Sequence, residues 1–417
     1  MIDPALTLTR KGMKLGELIV LLAMLMALQA AAIDAMLPAL PALAADLGVE
    51  EANRRQLVVG LFLVASGLGS LIPGALADRF GRRPVLLTGL AGYTLFALGC
   101  ALASDFGQLL VMRVLQGLCS SAVIVVPTSI IRDRYEGDRM ARLMSTIFAV
   151  FITVPIIAPS LGLAILTAAG WRAIFLVLAG WGGVVGLWFF LRMPETLPAQ
   201  RRQPLAPGTY LANMRRALCL RASVGYVFAG SLVTAGIFGY VNSAEQLVGE
   251  HFGAGHHFAL IFGATAATMI ISNLTNARIV ERFGARRVSH MGLVIFILLS
   301  AAQIWFALGE WQSLAWFVPL LAANMAVIGF LTANFSSIAM QPFGEIAGAA
   351  SSAHTFVRMF GAGVMGIIIG QAYDGTSRPL AYALLIIGLL ALALVLFSEQ
   401  GRLFQRRNPP RPPASLP

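Results

Sequence analysis

The sequence predicts an all-α membrane protein with twelve transmembrane helices in two pseudo-symmetric six-helix bundles. Three observations carry that expectation: an oil-rich composition, apolar runs of membrane-crossing length, and one loop signature written twice. Of the 417 residues, 58% are hydrophobic and only 12% charged, about half the roughly 25% charged share of a soluble domain. Mean hydropathy is +0.79. No compact core hides this much apolar surface with so few charges left for a wet exterior, so lipid must cover the rest. An ordinary cytosolic enzyme is excluded.

A spanning helix needs about 20 mostly apolar residues. Windows of that kind fall at 15–43, 56–77, 84–103, 107–131, 142–168, 172–192, 222–247, 257–280, 288–309, 313–340, 349–372 and 378–397. Runs such as Leu384 to Leu396 lack the strict alternation of barrel strands, so the spans are helical. The first window exceeds the roughly 7–15 residues of a signal-peptide core and has no persuasive cleavage site, so it is expected to stay in the mature protein.

Loop charge sets the orientation. With the N-terminus inside, the inner segments hold 24 of the 30 Lys and Arg; the outer loops hold Arg54, Arg55, Arg172 and Arg378, and Arg113 and Arg358 lie within spans. Cytoplasmic loops carry the excess of Lys and Arg, so both termini are expected in the cytoplasm, which requires an even number of spans. A net charge of +11 spread in this way, without aromatic interleaving, fits loop topology and not nucleic acid. Cys100, Cys119 and Cys219 have neither disulfide-framework nor zinc spacing.

The polar, proline-containing stretch 193–221 reads as a cytoplasmic linker. It divides an N-terminal bundle, 1–192, from a C-terminal bundle, 222–397, and 398–417 forms a cytoplasmic tail that turns proline-rich from Asn408. An internal repeat supports the division. Asp78-Arg79-Phe80-Gly81-Arg82-Arg83 recurs as Glu281-Arg282-Phe283-Gly284-Ala285-Arg286, 203 positions later and again after the second span of its half. Duplication explains recurrence at equivalent positions better than chance.

In the first copy, Gly74 permits close helix approach, Gly81 permits a sharp turn and Pro84 suits a first helical turn. Arg79, Arg82 and Arg83 are favourable near a helix C-terminus, whereas Asp78 faces the negative end of the dipole and needs a partner. A nearby arginine, or a helix N-terminus of the other half, would make Gly74, Asp78, Arg79, Gly81, Arg82 and Arg83 a conformational latch.

This segment resembles the loop motif between spans two and three of the major facilitator superfamily. The halves, linker and span count match that family along essentially the whole chain. Ile33-Asp34-Ala-Met-Leu-Pro38-Ala-Leu-Pro41 resembles the first span of its Bcr/CflA drug-resistance branch. Arg113-Val-Leu-Gln116-Gly117 resembles the fourth-span motif of proton-coupled members, and Ile131-Arg132-Asp133 the loop after it. Pro155, Pro159 and Gly162 match the fifth-span antiporter motif, with Val154 and Ala158 where glycines are usual. The resemblance implies a bacterial inner-membrane drug:proton antiporter, working as a monomer among membrane lipids on small-molecule substrates and protons, with no cofactor.

Asp34 stands out independently of any family. An ionised carboxylate within a span costs a few kcal/mol or more unless paired or facing water, which makes it a functional suspect. Arg113, at comparable depth in the outer half of the bilayer, is the expected partner, so Asp34 is read as the proton carrier and Arg113 as its tuner. The competing reading is a structural ion pair. Arg358 lies near mid-membrane one turn after His354; it either attracts an anionic or polar substrate group or reaches a carboxylate across the domain interface. Gln29, Asn242, Asn324 and Asn334, with Met36, Phe148, Phe238, Tyr240 and Arg358, form the candidate substrate-binding set, each polar member also being a candidate for helix-packing glue.

Other patterns fail on context. Gly361-Ala-Gly363-Val-Met-Gly366 follows no strand, which favours helix packing over a dinucleotide site; His251, His256 and His257 lack metal-type companions, and there is no P-loop. The expected function is proton-coupled efflux of small amphipathic compounds such as antibiotics by alternating access, not enzymatic catalysis. The competing expectation is a transporter of a specific metabolite or siderophore-like anion, by symport.

Overall fold

A computed structural model describes residues 13–135, 137–202, 207–309, 312–343 and 346–405. Fifteen α-helices carry the chain there, with no strand among the described residues. The first half contains α1 (Leu15–Asp34), α2 (Leu40–Asp46), α3 (Leu57–Gly69), α4 (Pro73–Phe80), α5 (Arg82–Ala101), α6 (Phe106–Arg134), α7 (Gly137–Ala169) and α8 (Trp171–Arg192). Next come α9 (Pro207–Cys219), α10 (Arg221–Glu245), α11 (Phe258–Phe283), α12 (Ala285–Leu308), α13 (Leu314–Met340), α14 (Ala347–Gln371) and α15 (Arg378–Ser398). Each of the twelve predicted windows contains a helix. Among the described residues ten are long and apolar enough to cross a membrane, eleven when a bent pair counts as one span, and α7 has a described apolar stretch at Thr153–Ala169.

Two spans differ from the continuous helices expected of them. The first breaks after Asp34 and resumes through a 3-10 turn at Leu37–Ala39 into α2. Pro38 is the cause: in an unbroken helix its nitrogen would donate to the Asp34 carbonyl, but proline has no N–H and its ring collides with that carbonyl. The second bends by 43° between Ala52–Gly69 and Pro73–Phe80, with Pro73 opening the new helix. The stretch read as a plain linker contains the helix α9, and Asp133, read as part of a loop, lies in the last turn of α6.

Glycine makes the sharp corners. Gly81 separates α4 from α5 with φ +105°, and Gly284 separates α11 from α12 with φ +84°; L side chains strain in that region. The two copies of the sequence repeat thus make the same turn.

The chain folds into two compact units, Met1–Pro207 and Gly208–Pro417. Within the first, α1 packs on α6, α7 and α8, α3 on α6, and α5 on α6 and α8. Within the second, α10 packs on α13, α14 and α15, α11 on α13, and α12 on α13 and α15. Each pairing in one unit has its counterpart in the other, so the duplication seen in one loop extends to helix packing. Large apolar side chains such as Leu95, Val184, Leu298, Trp305 and Ile386 point outward, as a lipid-facing wall requires.

Candidate functional site

In the first unit the site is built around the break in the first span. Asp34 is the last residue of α1 and only 5% exposed. No described residue makes an ion pair or hydrogen bond with its carboxyl group. Gly162 of α7 lies directly against the Ala35 carbonyl, where a Cβ would collide with the oxygen. The small residue of the predicted fifth-span motif therefore lets α7 press on the broken backbone beside Asp34. Met36, within the break, is fully buried.

The expected Asp34–Arg113 pair is not formed in this structure. Arg113 is completely buried, and its Nε donates to the Val58 carbonyl at 2.9 Å, Nη1 to Gln116 Oε1 at 2.8 Å and Nη2 to the Ala32 carbonyl at 3.1 Å. Its guanidinium also lies over the Phe62 ring, 4.2 Å from the centroid. The physical reason is the break itself. The Ala32 carbonyl near the end of α1 loses its helical donor, and a planar five-donor fork reaches it together with the Val58 carbonyl of α3 and the Gln116 side chain. Arg113 therefore ties α6 to the end of α1, two residues from Asp34, through backbone and not through the carboxylate.

A polar seam continues along α1. Gln29 Nε2 donates to Ser66 Oγ at 2.5 Å, Ser120 Oγ to the same oxygen at 3.3 Å, and the Tyr93 hydroxyl to the Leu28 carbonyl at 3.4 Å. Gln29 Oε1 is buried without a partner.

At the Arg-rich end of this unit, Arg82 is the hub. Nη1 meets Asp78 Oδ1 at 2.5 Å and Nε meets Asp133 Oδ2 at 2.8 Å, with the arginine 3% exposed. Asp78, at the unfavourable end of its helix, thus finds its partner inside its own motif. Arg83 donates to the Phe190 carbonyl at 2.7 Å, whereas Arg79 is exposed above Phe80. Glu195 was not anticipated: its carboxylate accepts the Arg82 and Arg83 backbone N–H groups at 2.9 and 3.1 Å and closes over Gly81. A carboxylate at a helix N-terminus is favourably placed against the dipole.

The second unit contains a cavity of about 140 Å³ whose lining includes Tyr226, Thr332, Ser336, Ser351, His354 and Arg358. Of the candidate substrate-binding residues, Arg358 alone lines it. The rest are engaged elsewhere. Tyr240 shares a 3.3 Å hydrogen bond with Thr265 and stacks on Phe262. Asn242 donates to the carbonyl of half-buried Phe238 at 2.8 Å, Asn324 accepts from Ser300 at 3.4 Å, and Asn334 donates to Asn276 Oδ1 at 2.8 Å. Side chains at Gly361, Gly366 and Gly370 would strike Ser231, Phe238 and Asn242, so the glycine-rich run of α14 packs against α10. The side chain of Phe148 lies outside the described residues. Pro155 and Pro159 sit within α7. Glu245, the last residue of α10, is buried at 8% exposure.

A second unanticipated cluster lies at the Arg-rich end of this unit. Glu399, 1% exposed, accepts from Arg286 Nε at 2.7 Å and from the Tyr226 hydroxyl at 2.9 Å, and that hydroxyl also meets His290 Nε2 at 2.9 Å. Glu195 and Glu399 were discoverable from the repeat: shifting Glu195 by 203 lands one residue before Glu399, and each acid closely follows the last helix of its half, α8 or α15.

The model of the Major Facilitator Superfamily matches residues 22–366. The chain belongs to that superfamily, whose members are transporters of small molecules. It is 27% identical over 366 residues to a bicyclomycin resistance protein homolog of Haemophilus influenzae, covering 86% of this chain and 91% of the relative. It is 29% identical to the multidrug resistance protein MdtL of Escherichia fergusonii, covering 91% and 94%, and 29% identical to a chloramphenicol resistance protein of Pseudomonas aeruginosa, covering 87% and 85%. These similarities agree with the Bcr/CflA drug-resistance branch that the first-span motif resembles. Among solved structures, the human organic anion transporter MFSD10 (TETRAN) aligns with a TM-score of 0.64 at 19% identity, covering 91% of this chain and 98% of that one, a likeness of fold.

Proposed function

We propose that this major facilitator protein exports small amphipathic compounds, antibiotics among them, in exchange for protons by alternating access, and that Asp34 carries the coupling proton. The observation that carries the reading is the Asp34 carboxyl group: buried, without a partner among the described residues, and held at a proline-made break in the first span. A carboxylate is costly there when ionised, so gaining or losing a proton changes the stability of whichever conformation exposes it. Gly162 and Arg113 surround the break with one close backbone contact and one hydrogen-bonded fork, so a change at Asp34 is felt by α6 and α7. Relatives named for resistance to bicyclomycin, chloramphenicol and multiple drugs support the substrate class.

A proton moving down its gradient supplies the work, each elementary charge contributing about 2.3 kcal/mol per 100 mV. The orientation that goes with this reading puts both termini in the cytoplasm, with Arg82, Asp78 and Asp133 as the inner latch. The test is uptake of labelled chloramphenicol into everted vesicles under an imposed pH gradient, alongside a drug-susceptibility panel in an efflux-deficient host. The wild-type protein is expected to accumulate drug, and Asp34→Asn to lose gradient-driven accumulation while keeping downhill exchange. Full pH coupling in Asp34→Asn would remove Asp34 from the role.

A further inference from the structure

The second unit holds a cation that its own fold does not neutralise. Arg358 lies on α14 eleven residues from Ala347 and thirteen from Gln371, about 16 and 20 Å from the two ends at 1.5 Å per residue. A guanidinium at such depth is expensive unless it has a partner or faces water. Among the described residues no carboxylate pairs with it and no hydrogen bond satisfies it, and the cavity it lines contains no acidic side chain. Arg113, seven residues from the start of α6, is by contrast held by three acceptors.

The neighbours of Arg358 are chemically matched to an acid. His354 lies one turn before it on the same helix face; its ring donates to the Ala217 backbone carbonyl, so Nε2, buried with no partner among the described residues, is an acceptor that borders the anion site without binding the carboxylate. Thr332, Ser336, Ser351 and Thr355 add hydroxyl groups to the lining. A cavity of about 140 Å³ is smaller than the roughly 300–1,000 Å³ of pockets that enclose whole drug-sized ligands. It suits a head group.

We infer that this cavity is an anion subsite, in which Arg358 and the neighbouring hydroxyl groups hold the carboxylate of an amphipathic substrate while the apolar remainder lies outside it. The inference rests on the efflux reading for its role in transport, and it narrows the cargo to acids and zwitterions carrying a carboxylate alongside neutral drugs. Arginine is suited to the task because its planar fork meets both carboxylate oxygens, where lysine offers a point charge.

The test uses the purified full chain in lipid nanodiscs and a matched pair of probes, naphthalene-2-carboxylate and its neutral amide, titrated at neutral pH by tryptophan fluorescence. The wild-type protein is expected to bind the acid at least about tenfold more tightly than the amide, the scale of one charge-assisted contact. Arg358→Gln should bring the ratio close to one, and Arg358→Lys should leave an intermediate ratio. A wild-type ratio near one overturns the inference without any variant, and so does an unchanged ratio in a folded Arg358→Gln protein. Proton-driven chloramphenicol uptake is measured separately in proteoliposomes. Loss of that flux with the acid preference intact removes the efflux reading and leaves the subsite standing, whereas flux without acid preference removes the subsite alone.

Discussion

The two halves are copies in packing and opposites in buried charge. The first buries a carboxyl group, Asp34, at a broken helix, and satisfies its deep arginine with two backbone carbonyls and a glutamine. The second leaves its deep arginine, Arg358, facing a cavity without an acid. Duplication therefore preserved the scaffold and let the chemistry diverge. The Arg-rich ends diverge as well: the shift of 203 puts Ala285 where the first half has Arg82, and the second half instead joins Arg286 to Glu399. On the proposed reading, one half carries the proton and the other receives the anion.

The comparison breaks first at its charged centres. Asp34→Asn is expected to lower gradient-driven accumulation at least about tenfold and flatten its pH dependence, because an amide cannot exchange a proton. Arg358→Gln is expected to change substrate ranking while the pH profile of residual transport keeps its shape. Flux against external pH for both variants checks this. A flattened profile in Arg358→Gln would dissolve the division of labour.

Arg113→Met is expected to act mainly on stability. It strips the Ala32 and Val58 carbonyls and Gln116 of their shared donor, costing about 2–4 kcal/mol for buried groups left unpaired. Thermal unfolding in detergent measures it. An unchanged midpoint would mean that the fork is dispensable and would restore a direct role toward Asp34.

Gly162→Ala should cost about 1–3 kcal/mol through overpacking, because the new methyl meets the Ala35 carbonyl. Gly180→Ala, on the neighbouring helix with open space at its Cβ, should be neutral or stabilising by up to about 1 kcal/mol. The smallest contrast lies at the latch. Arg82→Ala removes a buried bridge between Asp78 and Asp133 and should cost about 1–3 kcal/mol, whereas exposed Arg79→Ala should stay within about 0.5 kcal/mol. Equal effects in the two would deny that Arg82 is the hub.

Much of this fold was readable before any coordinates. Membrane-crossing helices need long apolar runs, and those are local facts of composition, so each predicted window contains a helix. The repeat revealed the duplication, and Asp34, Arg113 and Arg358 were conspicuous because charge in oil is rare. The misses have a common origin. The break at Asp34 follows from one missing N–H at Pro38, yet whether a membrane helix breaks or only kinks at proline depends on what takes up the freed carbonyls. Arg113 does so from 81 positions away.

Sequence therefore settled what is costly and must be compensated: apolar surface, buried charge, and turns only glycine can make. Tertiary structure alone decided who compensates whom. It gave Arg113 to backbone carbonyls instead of Asp34, Asp78 to Arg82, and Glu195 and Glu399 to helix ends far away in the chain. Partnership at long sequence separation is chosen by packing geometry, and a side chain's identity states its need without saying which neighbour meets it.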